Sequence, residues 1–128
     1  MKFSLEATDL NQIYSYDDNQ IIISPEKKHY SLQLGTSLIV TPDQVINDAK
    51  IGDITDLSDE NISFLQNLKP EIIILTAGST AHRPIFNTAI KLAEKSIGVE
   101  SMTLGAASRT YNLLVLEGRR VLLVISLI

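Results

Sequence analysis

Hydrophobic and polar positions alternate along the first third of the chain and then change period. Gln12-Ile13-Tyr14-Ser15-Tyr16 alternates, Asp17-Asp18-Asn19 supplies turn formers, and Gln20-Ile21-Ile22-Ile23-Ser24 predicts a second strand. Pro25 and the charged run Glu26-Lys27-Lys28 read as a loop. His29-Tyr30-Ser31-Leu32-Gln33-Leu34 alternates again, Gly35 breaks it, and Ser37-Leu38-Ile39-Val40 precedes the turn signal Thr41-Pro42-Asp43. Short strands with close-set turns predict a β-rich N-terminal part, residues 1–57, built as an antiparallel meander.

From Ser58 the period is helical. The Ser58 hydroxyl suits an N-cap, because it accepts from a free N–H of the first turn. The helix after it is expected to turn Ile62, Phe64 and Leu65 towards a core and to stop before Pro70. Glu71-Ile72-Ile73-Ile74-Leu75-Thr76 is a continuous apolar run, the pattern of a strand buried on both faces. Pro84 is placed to open a second helix carrying Ile85, Phe86, Ala89, Ile90, Ala93 and Ile97, with Gly98 as its terminator. Val99-Glu100-Ser101-Met102 reads as a short strand. Thr103 would cap a helix over 105–117 ended by Gly118, and residues 119–127 close the chain as a buried strand.

Helix–strand alternation with short loops implies parallel strands joined by right-handed crossovers. The expected fold is therefore α/β: a single three-layer domain over residues 1–128, a mixed β-sheet with C-terminal βαβαβ crossovers over 58–128, and the meander covering part of it. The 128 residues suffice for such a core, since a chain this long buries roughly two-thirds of its unfolded surface without metal or disulfide staples. With no cysteine, disulfides, thiol nucleophiles and sulfur-ligated metals are excluded. A net charge of −4 disfavours a nucleic-acid partner. No apolar run approaches the ~18 residues of a membrane helix. The first twenty residues lack Arg and any signal-peptide core, so membrane insertion is not expected and a cytoplasmic location is.

Candidate chemistry is sparse. The loop Thr76-Ala77-Gly78-Ser79-Thr80-Ala81-His82-Arg83-Pro84 lies between a buried strand and a helix start, where free N–H groups favour anions. Gly78 permits a tight turn, and Ser79, Thr80 and Arg83 add donors. The loop carries neither GxxxxGK[ST] nor GxGxxG, and an ordinary βα turn accounts for it equally. Arg109 and Asn112 share a helix face, with Tyr111 between them. A guanidinium on a largely apolar helix calls for an acceptor, either Glu100, Glu117 or a helix carbonyl, or the carboxylate or phosphate of a ligand. The internal pair is the expectation. Arg119 and Arg120 should point to opposite sides, one meeting Glu117 or the sheet rim. His29 and His82 have no metal-ligand spacing, GxSxG is absent, and Tyr14, Tyr16 and Tyr30 look like packing residues. No cofactor and no catalytic set is expected.

Gly98-Val99-Glu100-Ser101-Met102 and the segment running from Ala106 through Ser108-Arg109-Thr110-Tyr111-Asn112 to Glu117-Gly118-Arg119-Arg120-Val121 resemble the domain of unknown function 498 family. The similarity covers nearly the whole chain. The family includes bacterial and archaeal stand-alone proteins and the mitochondrial respiratory complex I assembly factor 3. The resemblance implies a compact α/β domain and brings no catalytic residues with it. Its mitochondrial relatives act with protein partners, so it implies protein interaction. Three positions depart from the pattern: Thr76-Ala77-Gly78 replaces a common Gly-Thr-Gly, Ser108 a frequent cysteine, and Thr103 a frequent Asp.

Two classes of function follow. The first is an interaction or assembly module docking a protein partner through an exposed apolar or arginine-bearing patch. The second is a binder of, or enzyme for, a small anionic ligand, with a pocket between the Gly78 loop and the Arg109/Asn112 face, helped by Arg119. Monomer and homodimer both fit, because the apolar C-terminal strand suits the inside of a sheet or a second copy.

Overall fold

The computed structural model describes residues 2, 8–78 and 84–127. Three antiparallel strands come first: β1 (Gln12–Tyr16), β2 (Gln20–Ser24) and β3 (Lys28–Ser31). Asp17 forms the first turn because its carboxylate accepts from the N–H groups of Asn19 and Gln20, at 2.7 and 2.9 Å. β4 (Ser37–Val40) follows, then β5 (Val45–Asn47), a strand too short to leave a period in the sequence. The remainder is α1 (Asp59–Asn67), β6 (Ile72–Thr76), α2 (Phe86–Ala93), β7 (Gly98–Ser101), α3 (Leu104–Leu116) and β8 (Val121–Ser126).

The meander forms its own three-stranded sheet, and the other strands form a five-stranded sheet ordered β5-β4-β8-β6-β7. β6 runs parallel to both β7 and β8, while β4 is antiparallel to β8 and β5. The C-terminal strand thus sits inside the sheet with both edges filled. The chain steps outward from β6 to β7 and back past β6 to β8. Two right-handed crossovers in opposite directions must use opposite faces, so α2 and α3 flank the sheet on its two sides.

Three layers result. On one face, α3 and the meander close over Val121, Leu123, Ile125 and Ile74 with Ile13, Ile21, Ile23 and Tyr111. On the other, α1, α2 and residues 51–57 close over Leu122, Val124, Ile73 and Leu75 with Leu65 and Leu92. Each such apolar side chain taken fully from water stabilises the fold by about 1.5–3 kcal/mol. β8, buried along its whole length, supplies both cores by simple alternation.

Several local expectations are corrected by packing. Phe64 is 39% exposed, because Ile62 and Leu65 define the inner face of α1 and Phe64 falls on its flank. Ser58 does cap α1, accepting from Asn61 N–H at 3.1 Å. Helix α2 starts at Phe86, two residues beyond Pro84. Its core face is Thr88 and Leu92, leaving Phe86 and Ile90 outside. Ser96, at φ 60°, and not Gly98, takes the left-handed position after α2. Bonds from Ser96 N–H to Ala93 and from Ile97 N–H to Leu92 then close the helix and press Ile97 onto the core beside Leu92. Gly118 does end α3, but Thr103 precedes that helix without a side-chain capping bond.

Candidate functional site

The Arg-Thr-Tyr-Asn segment lies in the middle of α3, where successive residues face very different surroundings. Tyr111 points into the core, and its hydroxyl donates to the Asn11 carbonyl at 3.0 Å. Burial, with the nearby Asp43 charge, holds that phenol well above its ordinary pKa, so it stays neutral. Asn112 accepts from Ile13 N–H at 2.7 Å and donates to Ile13 C=O at 3.0 Å. Its carboxamide therefore completes the outer edge of β1 as a neighbouring strand would. Arg109, on the outward face, is exposed, and no hydrogen bond or ion pair to it is found among the described residues. The acceptor expected for it from Glu100, Glu117 or a carbonyl is not needed, because the side chain lies on the exposed face of the helix. The Arg109 guanidinium reaches back along the helix beside Gly105, where an added methyl group would run into the Tyr16 hydroxyl. Gly105 is a close-approach residue that the helical pattern does not reveal.

Arg119 bonds Glu71 at 2.6 Å at the sheet rim, in place of Glu117. Both lie where β6 and β8 begin, whereas Gly78 follows the end of β6. Arg119 and Gly78 are therefore at opposite ends of parallel strands. Gly78 is tied on both sides, its N–H to the Thr76 hydroxyl and its carbonyl to Leu104 N–H at 2.9 Å. Ser79, Thr80, His82 and Arg83 lie outside the described residues. Arg120 holds Asp43 at 3.1 Å and the Leu68 carbonyl at 3.0 Å. The Thr41 hydroxyl, followed by Arg120, keeps the Asp43 carboxyl below its usual pKa. Tyr16 and Tyr30 pack on the core as expected, but Tyr14 lies between the ammonium groups of Lys2 and Lys27, at 5.2 and 4.8 Å from its ring centre. His29 meets Gln20 at 3.0 Å, and no acidic or histidine cluster fit for a metal occurs among the described residues.

The described geometry thus assigns two of the segment's polar residues to holding α3 against the meander and leaves one cation outside. A family model described as protein of unknown function (DUF498/DUF598) matches residues 13–126, which takes in both the Asn112 clamp and the sheet. The chain belongs to this family.

Structures similar to the DUF498 chain come from Bordetella parapertussis and Xanthomonas campestris. The first is 26% identical with a TM-score of 0.75, covering 96% of this chain and 100% of the other. The second is 26% identical with a TM-score of 0.74, covering 94% and 85%. A Francisella tularensis relative named "13 kDa major membrane protein" is 32% identical over 85 residues, 66% of this chain and 69% of its own length. Among the described residues of this DUF498 chain, no helix is long and apolar enough to cross a membrane. The family carries no established reaction.

Ser108, where the resemblance places a cysteine, is fully buried, and its hydroxyl has no partner among the described residues. A thiol here would be a small apolar filler rather than an exposed nucleophile. Ser108→Ala is expected to raise stability by about 1 kcal/mol, because it removes a buried hydroxyl that makes no bond. A higher urea midpoint at unchanged slope is the result to look for; a lower midpoint would show that the hydroxyl has found an acceptor.

Proposed function

We propose that the protein is an interaction module of assembly-factor type, working in the cytoplasm without a reaction of its own, and that it docks a protein partner on the outer face of α3. The observation that carries this reading is the stripe Arg109, Leu113 and Leu116, spaced along one side of the helix. Leu113 is 58% exposed and Leu116 47% exposed, beside a guanidinium with no acceptor among the described residues. Arginine flanked by apolar side chains is the composition of an interface centre. The partner chemistry that fits is an apolar patch containing one carboxylate, since a guanidinium covered by a partner must be paired. The mitochondrial relatives, which act with protein partners, point the same way.

The anionic-ligand reading draws less support, because Tyr111, Asn112 and Arg119 already spend their polar groups internally. Photo-reactive residues placed singly at Leu113 and Leu116 in living cells test the proposal. A discrete adduct with one protein is expected in the cytoplasmic fraction, lost on Arg109→Glu and absent when the label sits at Glu60 in α1. No adduct, the same adducts from Glu60, or adducts indifferent to Arg109→Glu would each refute it.

A further inference from the structure

Helix α3 turns one narrow face to solvent, and that face carries charges of opposite sign on either side of a leucine. Tyr111 and Val115 both point into the core, so Leu113, midway between them, points directly away from it. At 3.6 residues per turn, Arg109, Leu116 and Glu117 all fall within about 60° of Leu113. Arg109 is the only cation between Leu104 and Glu117, and Glu117 the only acid. They stand four residues before and four after Leu113, about 6 Å along the axis in each direction. Both are exposed, and among the described residues neither side chain has an ion-pair partner. The helix dipole disfavours a carboxylate at a helix C-terminus, so Glu117 gains nothing from its own helix.

We propose that the protein docked on this face is a second copy of the chain, its α3 laid antiparallel on the first about a two-fold axis at Leu113. The inference rests on the docking role proposed for α3 and names the occupant. The stripe calls for an apolar patch with one carboxylate, and Leu113, Leu116 and Glu117 make such a patch. Reversal about Leu113 brings Arg109 level with Glu117 of the second copy, and Glu117 level with its Arg109. Leu113 meets Leu113 on the axis. Leu116 of the second copy arrives on the same side as Arg109, within about 2 Å of its level, where it covers the aliphatic stem of the arginine.

Charge selects this arrangement over the other ways of pairing the helix with itself. A parallel pair sets Arg109 beside Arg109 and Glu117 beside Glu117, two like-charge contacts. An antiparallel pair centred one turn earlier or later, at Arg109 or at Glu117, sets like charges against each other on the axis. Each copy offers one cation and one acid on this helix, so only the Leu113 centre matches both. A guanidinium covered without a carboxylate is strongly unfavourable, which disfavours the unmatched centres. The contact is isologous and closes after two copies. One helix face per copy is a small interface, of the weak and reversible class.

Sedimentation of the full chain between about 1 µM and 1 mM tests the proposal, a span that covers weak to moderate self-association. A dimer is expected within that range. Arg109→Glu and Glu117→Arg should each raise its dissociation constant at least about tenfold, because each sets like charges at both ends of the contact. An equimolar mixture of the two variants should recover a dimer within about threefold of the wild-type constant, since in the mixed pair every charge again faces its opposite. Both positions are exposed, so circular dichroism should show the fold unchanged. The chain has no cysteine, so single cysteines report the register. Leu113→Cys should oxidise to a linked dimer, because a residue on the axis meets itself. Ala106→Cys, about 21 Å from its mate along the helix, should not. A monomer at 1 mM, a dimer that both charge variants leave intact, or a mixture no tighter than its parents overturns the self-pairing. Capture of a different protein by the label at Leu113 would then leave the α3 docking role standing without it. Equal linking from Ala106→Cys and Leu113→Cys overturns the register.

Discussion

Asn112→Ala should destabilise the protein by about 3–4 kcal/mol, the sum for leaving a buried N–H and a buried C=O of Ile13 unpaired. β1 is the outer strand of its sheet, with β2 on its other side and one isolated bridge from Lys2 to Ser15, so among the described residues no strand bonds the Ile13 groups that Asn112 holds. Asn112→Leu should cost about as much, although it restores volume, because leucine cannot bond the backbone. Native domains hold only ~5–15 kcal/mol in reserve. The melting temperature should accordingly fall by roughly 10–15 °C. Equal retention of stability by Ala and Leu near the wild-type value would show that water replaces the carboxamide and that the clamp is not structural.

Thr88→Val is the counterpart on the other face of the sheet, with an expected cost of about 2–4 kcal/mol. The Thr88 hydroxyl accepts from Leu57 N–H at 3.0 Å and donates to the Ile54 carbonyl at 2.8 Å, fastening residues 51–57 to α2. Valine has nearly the same shape, so the loss would measure the two bonds rather than a cavity. Thr88→Ser keeps both bonds and forfeits a methyl group, costing about 1 kcal/mol. If valine and serine melted together, packing and not hydrogen bonding would hold this segment. Both substitutions leave the α3 stripe in place, so binding measurements on them would separate stability from function.

These two clamps share a logic that the buried serines repeat. Ser37 and Ser126 lie opposite each other on β4 and β8 at 3.2 Å, with Ser37 accepting from Ile51 N–H at 3.0 Å and Ser126 donating to the Gly52 carbonyl. Residues 51–57 have no ladder of their own. Several of their backbone groups are bonded instead by side chains from α1, α2, β4 and β8, as buried peptide groups generally demand.

Periodicity by itself determined the element order from β1 to β8, with β5 the exception, because burial on one or two faces leaves a period of two or an unbroken apolar run. Residue type at the helix ends marked the Ser58 cap and the Gly118 stop, and the Arg-Thr-Tyr-Asn to Glu-Gly-Arg-Arg-Val segment carried the resemblance to the family. The chain without its fold could not tell which polar residues were spoken for. Arg109, Tyr111 and Asn112 look alike as a cluster on one helix, yet Asn112 and Tyr111 meet backbone about a hundred positions away in sequence, and Arg109 lies on the exposed face. The same holds for Phe86 and Ile90, whose spacing fits a core face as well as an outer one. Only the placement of Leu92 and Thr88 against the sheet decided which side of α2 was left over. Local pattern reports that a face is apolar, and the partner of that face is a long-range fact that tertiary structure alone supplies.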